Sequence, residues 1–178
     1  MPQDPAFTSA GRFFKGNLHT HSTRSDGARA PEDVCRLYRE AGYDFLALSD
    51  HFLPAYDFPV TDTRAFRMSG FTTLLGAEVH APRTVLGELW HILAIGLPLD
   101  FASTAYDETG PAIARRCLDA GAFVAIVHPD WYGLTPEDAD SIPGAHAVEI
   151  YNYGSDLEND RGYGWTLADN LHARDRKS

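Results

Sequence analysis

The 178-residue chain is a normal length for one domain, and its 44% hydrophobic content suits a globular fold with a substantial core. Fifteen Lys and Arg stand against 25 Asp and Glu, a net charge of −10 that argues against nucleic-acid backbones and anionic membranes as partners but allows a small phosphorylated substrate beside bound cations. No segment approaches the roughly 20 apolar residues of a membrane span, no signal-peptide pattern opens the chain, and Cys35 and Cys117 read as free buried thiols, so the cytoplasm is the expected location.

Residues 1–11 are small, polar and proline-containing and read as a flexible N-terminal tail. From 12 to 178 there is no linker, repeat or low-complexity block, which predicts a single domain. A first strand is expected over 13–18. Pro31 at a favoured first position, the acids after it and Gly42 as a stop predict a helix over 31–41. Residues 44–48 read as a short apolar strand, 61–69 as a short helix and 71–79 as a strand. A further strand over 85–97 carries Gly87 near its start and forms a hairpin with the strand before it. A helix over 111–120 stops at Gly121, an apolar strand follows over 122–127, and Thr135 caps a helical turn over 135–139. A strand over 147–151 and a helix over 163–173 complete the pattern. Strands separated by helices predict an α/β layered or barrel fold, whose strand C-termini and following loops form the active face.

Residues that bind metals sit at those strand ends. His19 and His21, two apart after the first strand, point to one side by period-two geometry, and Asp26 follows in a turn closed by Gly27. Asp50-His51 follows Phe45-Leu46-Ala47-Leu48, Glu78 follows Thr72-Thr73-Leu74-Leu75, and His128-Pro129 follows Phe123-Val124-Ala125-Ile126. His91 lies inside a strand. Each has a plain structural explanation alone; together they form an imidazole and carboxylate set of the kind that holds Zn, Mn or Fe. Glu78 among apolar neighbours needs a positive partner, which a cation supplies.

In this order the motifs resemble the PHP (polymerase and histidinol phosphatase) family, over nearly the whole chain from about Lys15. The matching stretches are His19-Thr20-His21 with Ser25-Asp26-Gly27, Ser49-Asp50-His51, Gly76-Ala77-Glu78, His91, His128-Pro129 and Val148-Glu149-Ile150-Tyr151-Asn152. The resemblance implies a distorted TIM-like barrel of seven β/α units and two or three divalent metal ions. By position, His19, His21 and Glu78 resemble the ligands of a first metal. Glu78 would bridge to a second, held also by His91 and His128, and Asp26 and His51 resemble ligands of a third. Glu78 and His128 are the candidate catalytic residues. Such cations lower the pKa of a water and neutralise charge developing on a phosphoryl or carbonyl oxygen. Family members close the site with an Asp-x-His pair on a final strand, and no such pair follows Glu149 here, so the barrel is expected to lack its C-terminal portion.

The implied activity is hydrolysis of a small phosphate ester. The alternatives are amide, carbamate or ester hydrolysis at the same site, or a catalytically weak metal-binding or regulatory domain. A homo-oligomer is expected, since an open strand edge near 147–151 invites association. Asp50 reads either as a partner orienting an imidazole or as a cap. His80 is expected at the surface in preference to the pocket lining, and His146 is expected to be exposed in a loop. Lys15, Arg24 and Arg83 read as solvated charges or phosphate contacts, and Trp131 and Tyr132 as pocket wall or core.

Overall fold

The computed structural model describes residues 10–174. Ala10 and Gly11 of the expected tail are exposed, and the rest of that tail lies outside the described residues. In chain order the elements are β1 (Gly16–Asn17), α1 (Pro31–Glu40), β2 (Phe45–Leu48), β3 (His51–Phe52), β4 (Thr72–Pro82), β5 (Leu89–Ile95), α2 (Gly110–Asp119), β6 (Phe123–Ile126), α3 (Pro136–Ser141), β7 (Ala147–Val148), α4 (Tyr153–Asn159) and α5 (Trp165–Ala173).

Where these differ from the expected elements, local chemistry explains it. The strand expected over 13–18 shrinks to two residues, with Phe13 and Phe14 exposed. Gly16 meets β2 so closely that a Cβ there would lie 1.9 Å from the Phe45 ring. The strand expected over 85–97 begins at Leu89, because Thr84 and Glu88 close a turn through Gly87, whose φ of 89° favours glycine. The helix expected over 61–69 is a single 3-10 turn, Arg64–Phe66. Helix α4 was not expected, since it lacks an apolar stripe. Its start is signalled by Asn152, whose Oδ1 accepts from Ser155 N–H at 2.9 Å.

The strands form a curled, half-barrel mixed sheet in the order β1-β2-β4-β5-β6-β7, with β3 paired to the second half of β4. Pairing is parallel except for β4–β5 and β5–β6, so the expected hairpin is present. The expectation of a β/α barrel is met in this coarse form. Alternate residues serve two faces. Ala77, Val79, Ile92, Ala94, Val124 and Ile126 enter the large core with Ile113 and Cys117 of α2 and Leu167 and Leu171 of α5. Val34 and Cys35 of α1 pack on Leu46 and Leu48. The concave face holds Ala47, Leu93, Ile95, Ala125 and Val127. Both cysteines are free and buried. Among the described residues no helix is long and apolar enough to cross a membrane.

Candidate metal centre

The segment bearing His19 and His21 runs on from β1 and is tied to the end of β2. Ser49 N–H donates to the Thr20 carbonyl at 2.8 Å, and Thr20 N–H donates to Ser49 Oγ at 3.0 Å. A turn follows, closed where Gly27 N–H donates to the Ser22 carbonyl at 2.9 Å. A Cβ on Gly27 would lie 2.6 Å from the His21 backbone. The turn places Asp26 Oδ1 2.7 Å from His21 Nδ1 and Oδ2 3.3 Å from His51 Nε2. Asp50 is neither an imidazole partner nor a helix cap. Fully buried, it accepts from Ser22 N–H at 2.7 Å, Ser22 Oγ and Ser25 Oγ at 2.9 Å each and Thr61 Oγ1 at 3.0 Å, which pins the turn to the sheet.

Strand register assembles the rest. His51 of β3 pairs with Glu78 of β4, and His80 of β4 sits opposite His91 of β5. Glu78 and His80 alternate with the core residues Ala77, Val79 and Ala81, so both side chains face away from the large core. His128 follows β6 at a φ of 29°, a strained value for a non-glycine residue, and its N–H donates to Glu149 Oε2 at 2.8 Å.

All seven candidate residues, His19, His21, Asp26, His51, Glu78, His91 and His128, line one cavity of 430 Å³. Glu78, fully buried, is its hub. Its Oε1 lies 2.7 Å from His91 Nδ1 and 3.0 Å from His128 Nε2. Its Oε2 lies 3.0 Å from His51 Nδ1, 3.1 Å from His21 Nε2 and 3.4 Å from His19 Nε2. Glu78 Oε2 and His21 Nε2 nevertheless lack hydrogen-bond geometry, and His128 Nδ1 is buried without a partner. Oε1 does meet hydrogen-bond geometry with His91 and His128, while nitrogens that crowd Oε2 without aiming at it suit a shared cation better than a hydrogen-bond network. Ligand atoms converge within 4.8 Å in three overlapping groups: His19, His21 and Glu78; His21, Asp26 and His51; and His51, Glu78, His80 and His91.

Burial opposes charge on every group here, and the outcome depends on partners. It pushes His19 down, but the Glu78 charge and the hydrogen bond with Glu149 raise its pKa to about 10. Burial likewise opposes protonation of His51, which Glu78 and Asp26 together raise. Burial dominates at His80, which falls to about 3, and at His91, which is lowered. Burial pushes Glu78 up, yet the His19 charge and the adjoining His128, His19 and His21 rings hold it well below the usual carboxylate range.

Two residues correct the sequence reading. His80 is not at the surface: it is 2% exposed, with Nε2 2.8 Å from His51 Nδ1. Strand alternation from Glu78 was the signal that places it. Glu149, quoted only as part of a matching stretch, holds two site histidines at once. Its Oε1 lies 3.1 Å from His19 Nδ1, while Oε2 takes the His128 N–H and Asn152 Nδ2 at 3.1 Å. His146 is exposed, as expected. Trp131 walls the cavity with Asn152, Ser155 and Glu158, whereas Tyr132 is buried beside His91. No Lys or Arg lines the cavity among the described residues. Lys15 Nζ caps the Ala41 carbonyl at 3.0 Å, Arg24 is exposed, and Arg83 lines a separate cleft.

No family model matches the sequence, and no curated protein sequence matches it significantly. Solved structures do match. A two-domain protein from Bacteroides vulgatus, described as containing a PHP-like metal-dependent phosphoesterase, aligns at 23% identity and a TM-score of 0.57 over 78% of this chain; the match spans only 44% of that protein. A Bifidobacterium adolescentis protein assigned as a metal-dependent phosphoesterase aligns at 15% identity and a TM-score of 0.66 over 92% of this chain and 86% of its own. An amidohydrolase from Chromobacterium violaceum, solved with sulfate and no metal, aligns at 14% identity and 0.65 over 89% and 84%. At these identities the likeness is one of fold: the chain shares its α/β fold with two proteins described as phosphoesterases, one of them as PHP-like, and with an amidohydrolase.

Proposed function

We propose that residues 12–178 form a PHP-type metallohydrolase domain that binds two or three divalent cations (Zn, Mn or Fe) and hydrolyses a small phosphate ester. The observation that carries this reading is the fully buried Glu78 carboxylate facing five imidazole nitrogens at 2.7–3.4 Å. His19, His21 and Glu78 would hold one cation, Glu78, His91 and His128 a second, and Asp26 with His51 a third. Bound there, the cations supply Lewis acidity and an activated water. The side chains supply position: Asp26 and Glu149 hold the Nδ1 atoms of His21 and His19, which turns their Nε2 atoms toward Glu78. Glu78 and His128 are the groups proposed to touch the reacting atoms.

The cation-free lining favours a second reading on the same site, hydrolysis of an amide, carbamate or ester. Among the described lining residues a substrate phosphate would meet no Lys or Arg, only the metals and neutral polar groups such as Asn152 and Ser155. The amidohydrolase neighbour shares the fold. The substrate is a small molecule in either case, the location proposed is the cytoplasm, and the sheet edge at β7 is proposed to support self-association.

The test is turnover of phosphomonoesters and phosphodiesters against carbamates, amides and esters by protein loaded with each metal. Preference for phosphate esters supports the first reading and preference for the others the second. A metal-loaded protein inert toward both panels would contradict the hydrolase assignment and leave a binding domain.

A further inference from the structure

Seven residues satisfy the motif pattern, and His80 is an additional buried imidazole beside them. We infer that His80 is a positioning residue that fixes which nitrogen His51 presents to the metal centre. This rests on the metal-centre reading given above.

The chain of reasoning starts at a backbone carbonyl. His80 Nδ1 lies 3.1 Å from the Trp90 carbonyl, which can only accept, so His80 carries its proton on Nδ1. The ring is 2% exposed and makes no hydrogen bond to a carboxylate, so it is held neutral and its Nε2 offers a lone pair. That lone pair lies 2.8 Å from His51 Nδ1, which must therefore donate. Glu78 Oε2 is also 3.0 Å from His51 Nδ1, but hydrogen-bond geometry is met by His80 and not by Glu78. With its proton on Nδ1, His51 keeps its lone pair on Nε2, the atom 3.3 Å from Asp26 Oδ2 at the third donor group.

The anchor is rigid. Trp90 is buried in β5 opposite Ala81, and its Nε1 donates to the Arg83 carbonyl at 3.2 Å. The Trp90-to-His80-to-His51 relay thus carries the β4–β5 register into the site, as outer partners of metal-binding histidines commonly do.

The experiment compares the full chain with His80→Leu and His80→Gln. An apolar cavity of 240 Å³, lined by His80, Phe52, Pro54 and Phe58, gives a leucine room beside the ring. Glutamine's carbonyl oxygen can accept from His51; leucine cannot. Long-range proton–nitrogen spectra of metal-free protein, in buffer alkaline enough to leave His51 neutral, should show the Nδ1–H form of His51 in wild type and His80→Gln. That preference should be lost in His80→Leu. Zinc and manganese titrations should show one site weakened roughly 10–100-fold in His80→Leu and largely rescued in His80→Gln. An Nε2–H form in wild type, or a wild-type tautomer in His80→Leu, overturns the inference. Equal loss of metal in both variants overturns it too, and makes His80 a ligand itself. A wild-type chain that binds no cation sinks the metal reading, while the tautomer spectra decide the His80 assignment separately.

Discussion

Glu78 touches five imidazoles, whereas Asp50 accepts only hydroxyl and amide donors, from Ser22 and Ser25 in the turn before α1 and from Thr61 in the loop after β3. Glu78→Gln is therefore expected to lower metal content more than Asp50→Asn, by elemental analysis after identical dialysis; equal retention would mean that Glu78 is misplaced. Glu149→Gln tests the residue that motif spacing alone did not single out. Its two oxygens serve three donors, and an amide group can accept at only one of its two ends. The expected loss is roughly 10–100-fold in metal affinity, read by competition with a chelating dye. His19 sets a proton linkage. Its pKa in the folded, metal-free protein is raised from 6.5 to about 10, because Glu78 and Glu149 outweigh burial. Stability from the protonated ring is fully present below pH 6.5 and is lost as pH rises toward 10. A cation needs the neutral ring, so metal uptake at neutral pH should release a proton and strengthen as pH rises through this window. Calorimetry in buffers of different ionisation enthalpy checks it; a heat independent of buffer would refute the linkage.

At the scale of elements, the most local prediction concerns α3. Thr135 Oγ1 accepts from Asp138 N–H, and Asp138 returns a hydrogen bond to Thr135 N–H at 2.9 Å, a complete capping box. Asp138 also accepts from Val85 N–H at 2.7 Å, in the β4–β5 turn. Thr135→Ala should cost about 1 kcal/mol. Asp138→Ala should cost more, since it also leaves the Val85 amide without its partner, and chemical denaturation measures the difference. Thr135 was legible in the sequence for the same reason that α1, the hairpin and β6 were: caps, stop glycines and apolar runs are local signals. Strand ends were less legible. The ladder that trims β1 to Gly16–Asn17 depends on Phe45, nearly 30 residues away. Helix α4 escaped because Tyr153-Gly154-Ser155-Asp156 carries no apolar period, and only the Asn152 cap announces it. The seven candidate residues were legible as metal-binding residue types in motif order, although Glu78 and His91 lie inside β4 and β5 rather than at strand ends. His80 and Glu149 were not, because their roles come from pairing across strands and from a contact 130 residues apart in sequence.

Across the whole molecule, the sheet and the centre depend on one another. The segments after β1 and β6 and the strands β3 and β5 each deliver a side chain to Glu78, so cations bound there would tie together parts of the chain that unfolding separates. Metal at about 100 times its dissociation constant should stabilise the fold by about 2.7 kcal/mol. For a chain of this size that corresponds to roughly 5–10 °C in melting temperature. A thermal melt with and without zinc or manganese reads it, and an unchanged melt would place the binding elsewhere or nowhere. The central claim is tested most directly by the metal content of purified protein, dialysed without chelator, beside Glu78→Gln treated identically. The account predicts at least one equivalent of zinc, manganese or iron in the wild type and a marked loss in the variant. Less than about a tenth of an equivalent in the wild type, with none taken up on addition, would contradict it, because sites built from nitrogen and oxygen ligands of this number hold their metals.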